Sequence, residues 1–532
     1  MNPSEASEFA GSRVTPLLDG AEYAQALSDA LDRVGTHEDP ADNGRQLILV
    51  AGWWLGLARG GLRLDRPYPF GIPRARLEDG PPYCLNPWPE PAQIPFEQPP
   101  DLGDALLSRL IEKARAGVEV RVLGWVSSAT RAPRLATIIG AGHIVAVNTL
   151  TLRSIAALRA EPAIGARALP NLIAHPAGST HSKIVLVCDG ASTVAFAGGL
   201  DLEYSRWART DHAGRQTWHD VVARIEGPAA QGVYDHFKTM WDANLRQPAV
   251  RVPFDDRSIS SLPADTPALP VRSLPVESFT DGVEVRALET LPAARHRAGT
   301  WLPRNRSFPE APDGRFTYRD ALRAAVRDAE RYVYAEDQLF WSTEFMDWLN
   351  EALRRRPELR VILIVSGVVD PNDPPLPYDV YLSEAVNHHL LRDLTPQQAA
   401  RVHAFQRTGV TVHAKTVVID DRTAFIGSMN LGARSFYTDI EFGVAVTDHT
   451  GAWGQAYRGR LWEHHLGEKG TVADPEDAWD VWAGTAETDR LRRLDLPVPE
   501  IPLTGRARRV YEAIHDPDSR RPWGGLIPKG VL

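Results

Sequence analysis

The sequence predicts an α/β protein built from two similar halves, each a mostly parallel, helix-covered sheet, related as a pseudo-twofold pseudo-dimer. Three observations carry that expectation. Apolar runs of strand length alternate with amphipathic helical stretches. The same order of elements occurs twice along the chain. Each pass ends in a His-x-Lys unit followed by an apolar strand and a glycine turn. Strands that alternate with helices imply parallel sheets with helices on their faces.

In the first pass the apolar run 47–53 suits a buried strand. Residues 102–116 read as a helix, with Leu106, Leu107, Leu110, Ile111 and Ala114 on one face and Gly117 as its stop. Strands follow at 118–123, 184–187, 194–196 and 221–225. The second pass gives a helix over 318–331, a strand over 332–335, a helix over 344–355 and a strand over 359–365. Further strands fall at 416–419, 423–426 and 442–446. The expected organisation is a first half over 1–246, a linker over 247–279, a second half over 280–470 and an extension over 471–532. The linker is assigned from Pro248, Pro253, Pro263, Pro267, Pro270 and Pro275. The extension mixes Pro, Trp and charge without a period, as expected of either a wrap on the second half or partial disorder.

Composition narrows the function classes. Hydrophobic residues make up 43% and charged residues 24% of 532, which is ordinary for a globular chain. The formal charge is -9 with no dense Lys/Arg stripe, which argues against nucleic acid as the partner. Two cysteines, Cys84 and Cys188, allow one bridge at most and no disulfide framework. The polar N-terminus does not read as a signal peptide, and the strongest apolar run, 47–57, is too short to span a bilayer. The expected location is the cytoplasm, with peripheral contact to a membrane.

The residues that carry chemistry lie at the end of each pass. His181-Ser182-Lys183 precedes an apolar strand and then Gly198-Gly199-Leu200-Asp201. His413-Ala414-Lys415 precedes a second such strand, Asp420, and Gly427-Ser428-Met429-Asn430. Alternate residues of an extended chain face the same side, so each histidine projects with its lysine. Two such pairs supply two imidazoles and two ammonium groups around one phosphate. The lysines stabilise charge developing on the phosphoryl oxygens. One imidazole serves as nucleophile and the other, protonated, as acid toward the leaving alcohol. Those cations remove the need for a metal or any other cofactor. Gly199, Ser428 and Asn430 are expected to bring backbone N–H groups and side chains to the phosphate oxygens, with Asp201 in the equivalent place.

The stretch from His413 to Asn430 matches the His-x-Lys-x4-Asp-x6-Gly-Ser-x-Asn signature of the phospholipase D superfamily without a break. The first unit resembles the family's Gly-Gly-Leu-Asp form, with Arg206-Trp207 just after. Trp218-His219-Asp220-Val221, Glu336-Asp337-Gln338 and the segment from Leu461 to Gly467 also resemble family segments, so the likeness covers roughly residues 45–470. The resemblance implies two α/β halves with the active site at their interface. It implies His181 as nucleophile, His413 as general acid, and Asp220 and Glu441 as carboxylates that orient the two imidazoles. Glu336 and Gln338 become substrate contacts, and Asp420 and Asp189 structural residues of the motif. The implied partner is a phospholipid at a membrane surface.

One departure stands out. The motif aspartate expected five residues after Lys183 is Cys188, with Asp189 one place later. A one-residue slip would turn Asp189 to the other face of the strand, and a bulge would restore it. Plainer readings stand beside the sharp ones. Gly-Ser and Asn are ordinary turn residues, Asp201 can cap a helical segment, and Glu336 and Gln338 can belong to a surface loop. Adjacent histidines diverge on a helix, so His388-His389 and His464-His465 are read as structural and not as metal ligands. The favoured activity is phospholipase D-type cleavage or transphosphatidylation of a glycerophospholipid through a phosphohistidine. The alternatives are a cardiolipin-synthase-like phosphatidyltransferase, a nuclease, or a non-catalytic phospholipid-binding protein.

Overall fold

The structure is a computed structural model. It describes residues 6–37, 41, 45–57, 61–65, 74–78, 106–127, 142–174, 178–203, 206, 208–212, 218–293, 308–338, 340–367, 382–470, 474–486, 488 and 490–500. Cys84 lies outside them.

The first half contributes β1 (Ser7–Leu18), β2 (Leu47–Gly52), the hairpin β3 (Gly61–Asp65) and β4 (Arg74–Glu78), β5 (Glu119–Trp125), β6 (Ala168–Asn171), β7 (Ile184–Cys188), β8 (Thr193–Gly198), β9 (Trp218–His219) and β10 (Val221–Glu226). A hairpin of β11 (Arg251–Phe254) and β12 (Arg257–Ser260) follows. The second half contributes β13 (Val283–Leu291), β14 (Arg315–Phe316), β15 (Tyr332–Asp337), β16 (Arg360–Gly367), β17 (Val402–Thr408), β18 (Thr411–Val412), β19 (Thr416–Ile419), β20 (Thr423–Gly427), β21 (Glu441–Thr447) and β22 (Leu491–Arg493).

Sixteen of these strands form one sheet. Its order is β22-β17-β16-β15-β19-β20-β21-β13-β1-β10-β8-β7-β2-β5-β6, with β14 paired to β13 off this path. Apart from β22, the order reads equivalently from either edge, and the halves meet where β13 pairs antiparallel with β1. The α/β class is as expected, but the sheet is mixed and not mostly parallel. β2-β5-β6 and β15-β16-β17 are parallel, while the strands nearer the middle pair antiparallel. Connection length explains the difference. The outer strands are joined through helices such as Leu106–Arg115 and Thr343–Arg355, whereas β7-β8 and β19-β20 are joined by tight turns that permit only antiparallel pairing.

Helices cover both faces. Ala230–Leu245, Ala452–Leu466 and Pro475–Gly484 pack over one face, with Tyr234, Phe237, Trp241, Trp462 and Trp482 buried there. On the other face, Asp19–Asp32 and Leu106–Arg115 cover the first half, and Thr317–Asp328 and Thr343–Arg355 the second. The Pro-rich stretch after residue 247 packs against this body. Leu269 and Leu274 are buried, the Pro267 carbonyl accepts from Arg121 and Trp241, and the Pro270 carbonyl accepts from Tyr234. In the C-terminal extension β22 adds antiparallel to β17. Among the described residues no helix is long and apolar enough to cross a membrane.

Candidate active site

The two His-x-Lys units enter their strands as irregular extended segments, since β7 begins at Ile184 and β19 at Thr416. Each segment is tied to the opposite half. The His181 and Ser182 N–H groups both donate to the Ile440 carbonyl, at 2.8 and 3.0 Å. The His413 and Ala414 N–H groups both donate to the His219 carbonyl, at 2.7 and 3.1 Å. The site is therefore built on main-chain bonds across the junction of the halves.

The side chains cross the same junction. His181 Nδ1 lies 3.0 Å from both Glu441 oxygens, and His413 Nδ1 lies 2.6 Å from Asp220 Oδ2. Each carboxylate comes from the half that did not supply the histidine. With Nδ1 donating, each Nε2 is left with the lone pair that nucleophilic or proton-transfer chemistry requires. Burial and the neighbouring lysine ammonium (Lys183 beside His181, Lys415 beside His413) hold both imidazoles well below their ordinary pKa. Burial pushes the Glu441 and Asp220 carboxyls up to about 7.

Both lysines are buried and fixed from behind. Lys183 Nζ donates to the His181 carbonyl at 2.8 Å and lies 3.6 Å from Asp201 Oδ1. Lys415 Nζ donates to the His413 carbonyl. Arg206, over the Trp218 ring at 3.7 Å, adds a further cation felt by His413. Trp53 meets His181 edge-on with centroids 5.9 Å apart, and Trp218 lies 4.8 Å from the His413 ring. A cation-rich, aromatic-walled centre with two free imidazole nitrogens accepts an anion.

Several expected substrate contacts are employed elsewhere. Gly199 N–H donates to Val221, and a Cβ on Gly199 would sit 2.1 Å from Asp220 Oδ1. The glycine thus makes room for Asp220 and offers no N–H to a phosphate. Ser428 is wholly buried, and its Oγ donates to Glu441 Oε2 at 2.5 Å; Ser435 does the same to Oε1 at 2.6 Å. Glu336 is also wholly buried. Its oxygens accept from His219 Nε2, His465 Nε2 and Tyr334 OH. It is neither a substrate contact nor part of a surface loop, because β15 carries it into the core. Gln338 is half-buried just beyond the end of β15. Asp201 Oδ1 accepts the Trp54 N–H, while Asp201 Oδ2 and Asn430 Oδ1 are buried with no hydrogen-bond partner among the described residues.

The Cys188 departure leaves the site's register intact. β7 pairs without a shift through Cys188, opposite Leu47 and Thr193, and Asp189 falls in the turn beyond. There Asp189 accepts from Ala191 and Ser192. Asp420 instead accepts the N–H groups of Glu330, Arg331 and Tyr332, anchoring the start of β15. Asp19, which accepts the Asp220 N–H, and Ser435, which donates to Glu441, are site-supporting residues that sequence reasoning missed, because no local spacing marks them.

Fold and site together define a duplicated His-x-Lys protein with its anion-accepting centre between two interlocked halves. A family model described as "Cardiolipin synthase, PLD-like domain" matches residues 322–459. Phospholipase D A of Dictyostelium discoideum is 27% identical over 303 residues, covering 48% of this chain and 21% of that protein. Phospholipase D delta of Arabidopsis thaliana is 24% identical over 432 residues, covering 56% and 49%. Cardiolipin synthase A of Escherichia coli O157:H7 is 22% identical over 269 residues, covering 50% and 44%. The chain thus spans less than half the length of these relatives. The crystal structure of phosphatidylserine synthase from Haemophilus influenzae Rd KW20 aligns over 91% of this chain and 96% of that chain, with a TM-score of 0.46 and 11% identity. Over residues 322–459 the chain thus resembles the PLD-like domain, and the relatives it is similar to are phospholipases D and cardiolipin synthases.

Proposed function

We propose that the protein cleaves a glycerophospholipid at the distal phosphodiester, passing the phosphatidyl group to water or another alcohol through a phosphohistidine. One observation carries the reading: two imidazoles at the junction of the halves, each with Nδ1 held by a carboxylate of the opposite half and each followed two residues on by a buried lysine. Relatives named phospholipase D and cardiolipin synthase favour a phospholipid over other phosphodiesters. His181 Nε2 attacks phosphorus, and His413 Nε2–H gives its proton to the departing head-group oxygen as the P–O bond breaks. His413 then takes a proton from the incoming water or alcohol, whose oxygen displaces His181 from phosphorus. The short single-oxygen contact of His413 with Asp220, against the shared contact of His181 with Glu441, suits His413 to the imidazolium role. Lys183 and Lys415 neutralise the equatorial oxygens throughout. The membrane surface is met by loops in passing, without a span.

The test is release of choline or ethanolamine from mixed phospholipid vesicles in EDTA, beside a single-stranded DNA digestion. Lipid turnover that vanishes in His413→Ala supports the proposal. DNA cleavage without lipid turnover would assign the same chemistry to a nuclease. Binding of vesicles without turnover in either assay would leave a phospholipid-binding protein.

A further inference from the structure

A second buried polar cluster lies against Asp220, drawn from distant parts of the chain. Asp19 opens the helix Asp19–Asp32, His212 lies in the loop before β9, His219 is in β9, and His464 and His465 end the helix Ala452–Leu466. Most of its contacts resolve into ordinary pairs. His219 donates through Nδ1 to Asp19 Oδ1 and through Nε2 to Glu336 Oε2, both at 2.8 Å. His465 Nε2 donates to the other Glu336 oxygen at 3.0 Å.

Three atoms do not resolve this way. His464 Nε2 is 3.1 Å from Asp19 Oδ2 and 3.0 Å from His212 Nε2, and His212 Nε2 is 3.5 Å from Asp19 Oδ2. The two rings stand at 89° with their centroids 5.0 Å apart. Hydrogen bonds serve this triangle poorly. If His212 donates to His464 Nε2, Asp19 Oδ2 loses its nearer donor. If His464 donates to Asp19, its N–H is shared with, or turned from, the second nitrogen. A cation joins all three lone pairs at once. Metal–ligand bonds of about 2.0–2.1 Å give ligand edges of about 3.0 Å in octahedral and about 3.4 Å in tetrahedral sites, close to the triangle's three edges. We propose that Asp19 Oδ2, His212 Nε2 and His464 Nε2 bind a divalent first-row transition ion, of the class of zinc or ferrous iron.

Other features agree. Nδ1 of each ring has no partner among the described residues and is free to carry the ring proton. His212 has a φ of 48°, in the left-handed region that side chains rarely occupy, and this turn presents its ring to the other two ligands. The ion pins the first helix, the loop before β9 and a late helix together. Asp19 Oδ1 also accepts the Asp220 N–H at 3.0 Å, so the ion steadies the carboxylate that holds His413. It stands outside the reacting groups, and its role is to position.

The experiment is metal analysis of the purified full-length chain after dialysis against a weak chelator. About one equivalent per chain is expected, with the element reported separating zinc from iron. His212→Asn and His464→Gln should each lose most of it, while His388→Ala, in a different part of the second half, should retain it. Cobalt(II) uptake by metal-stripped protein gives an independent reading, because its ligand-field absorption reports nitrogen ligation and coordination number. If His464→Gln fails to fold, His212→Asn, whose side chain lies in a loop, remains the deciding variant. A folded parent that carries no metal and takes up no cobalt overturns the site, leaving a hydrogen-bonded cluster. Metal retained in full by folded His212→Asn also overturns it.

Discussion

The two halves solve one positioning problem with different side chains. In the second half Ser428 and Ser435 donate to Glu441, and the longer carboxylate reaches back across the junction to share both oxygens with His181. In the first half Gly199 stands where Ser428 does, and the space so opened admits Asp220, which makes one short contact with His413. A carboxylate one methylene shorter needs its neighbour smaller. The pairing of residue sizes, glycine with aspartate and serine with glutamate, shows the halves to be complementary parts that are not interchangeable. That asymmetry is what a division of labour between nucleophile and acid requires.

The largest effects should come from the histidines. His181→Ala and His413→Ala are each expected to lower kcat by about 10³-fold or more. The sharper comparison uses a phosphatidyl ester of p-nitrophenol, whose departure needs little protonation. His413→Ala should recover much of its loss on that substrate and His181→Ala should not. The reverse pattern would exchange the roles, and equal rescue would mean the halves are functionally alike.

The carboxylates come next. Asp220→Asn and Glu441→Gln are each expected to cost about 10²-fold in kcat, measured by steady-state kinetics. Their pH dependence separates them. The Glu441–His181 pair must have lost its proton for His181 to attack, so activity rises as pH passes upward through about 7. The Asp220–His413 pair must keep its proton to serve as acid, so activity falls as pH passes through about 7 from below. The parent profile of kcat/KM is therefore a narrow bell near neutrality. Glu441→Gln should flatten the acid limb and Asp220→Asn the alkaline limb. Loss of the same limb in both variants would sink the assignment.

Exchanging the smaller partners gives a weaker but more specific effect. Gly199→Ser places a Cβ 2.1 Å from Asp220 Oδ1, so the carboxylate must move off His413. Its activity should fall about tenfold or more, the equivalent of about 1.4 kcal/mol in the barrier. Ser428→Gly removes one hydrogen bond to Glu441 while Ser435 still holds the other oxygen. A loss of about 1 kcal/mol in thermal or urea stability, with a rate loss of only a few fold, is expected there.

Much of this was legible in the sequence. Period and order placed the strands around the two motifs and the helices at 106–115, 317–328 and 343–355, because a buried strand or an amphipathic helix writes its pattern locally, while β1, β13 and the helices Asp19–Asp32, Ala230–Leu245 and Ala452–Leu466 went unread. The paired motifs located the imidazoles and lysines for the same reason. What the sequence hid was how polar groups are spent. Ser428, Gly199 and Glu336 read as ligand contacts, yet each is committed to an internal partner that lies tens or hundreds of residues away. The cluster of Asp19, His212 and His464 was equally hidden: its members share no spacing, and only the sheet junction and the returning helix Ala452–Leu466 assemble them. The mixed sheet was missed because periodicity reports burial and not strand direction.

The smallest expected effect concerns the motif aspartates, and here too the halves differ by what each carboxylate spans. Asp420 receives the N–H groups of Glu330, Arg331 and Tyr332 at 2.7–2.8 Å, so it fastens the β19-β20 turn to the start of β15. Replacing it by alanine leaves those donors to find water at a crowded strand start, and a loss of about 2 kcal/mol in urea unfolding is expected. Asp189 receives donors only from its own turn, at Ala191 and Ser192, where water can substitute readily. Asp189→Ala should cost less than about 1 kcal/mol, with kcat unchanged. Cys188, at the position matching Asp420, is instead buried in the core as the last residue of β7. The first half has lengthened its strand by one residue and moved its aspartate out of the anchoring role. Equal losses in the two alanine variants would show that Asp189 still anchors something, and would restore the likeness between the halves at this point.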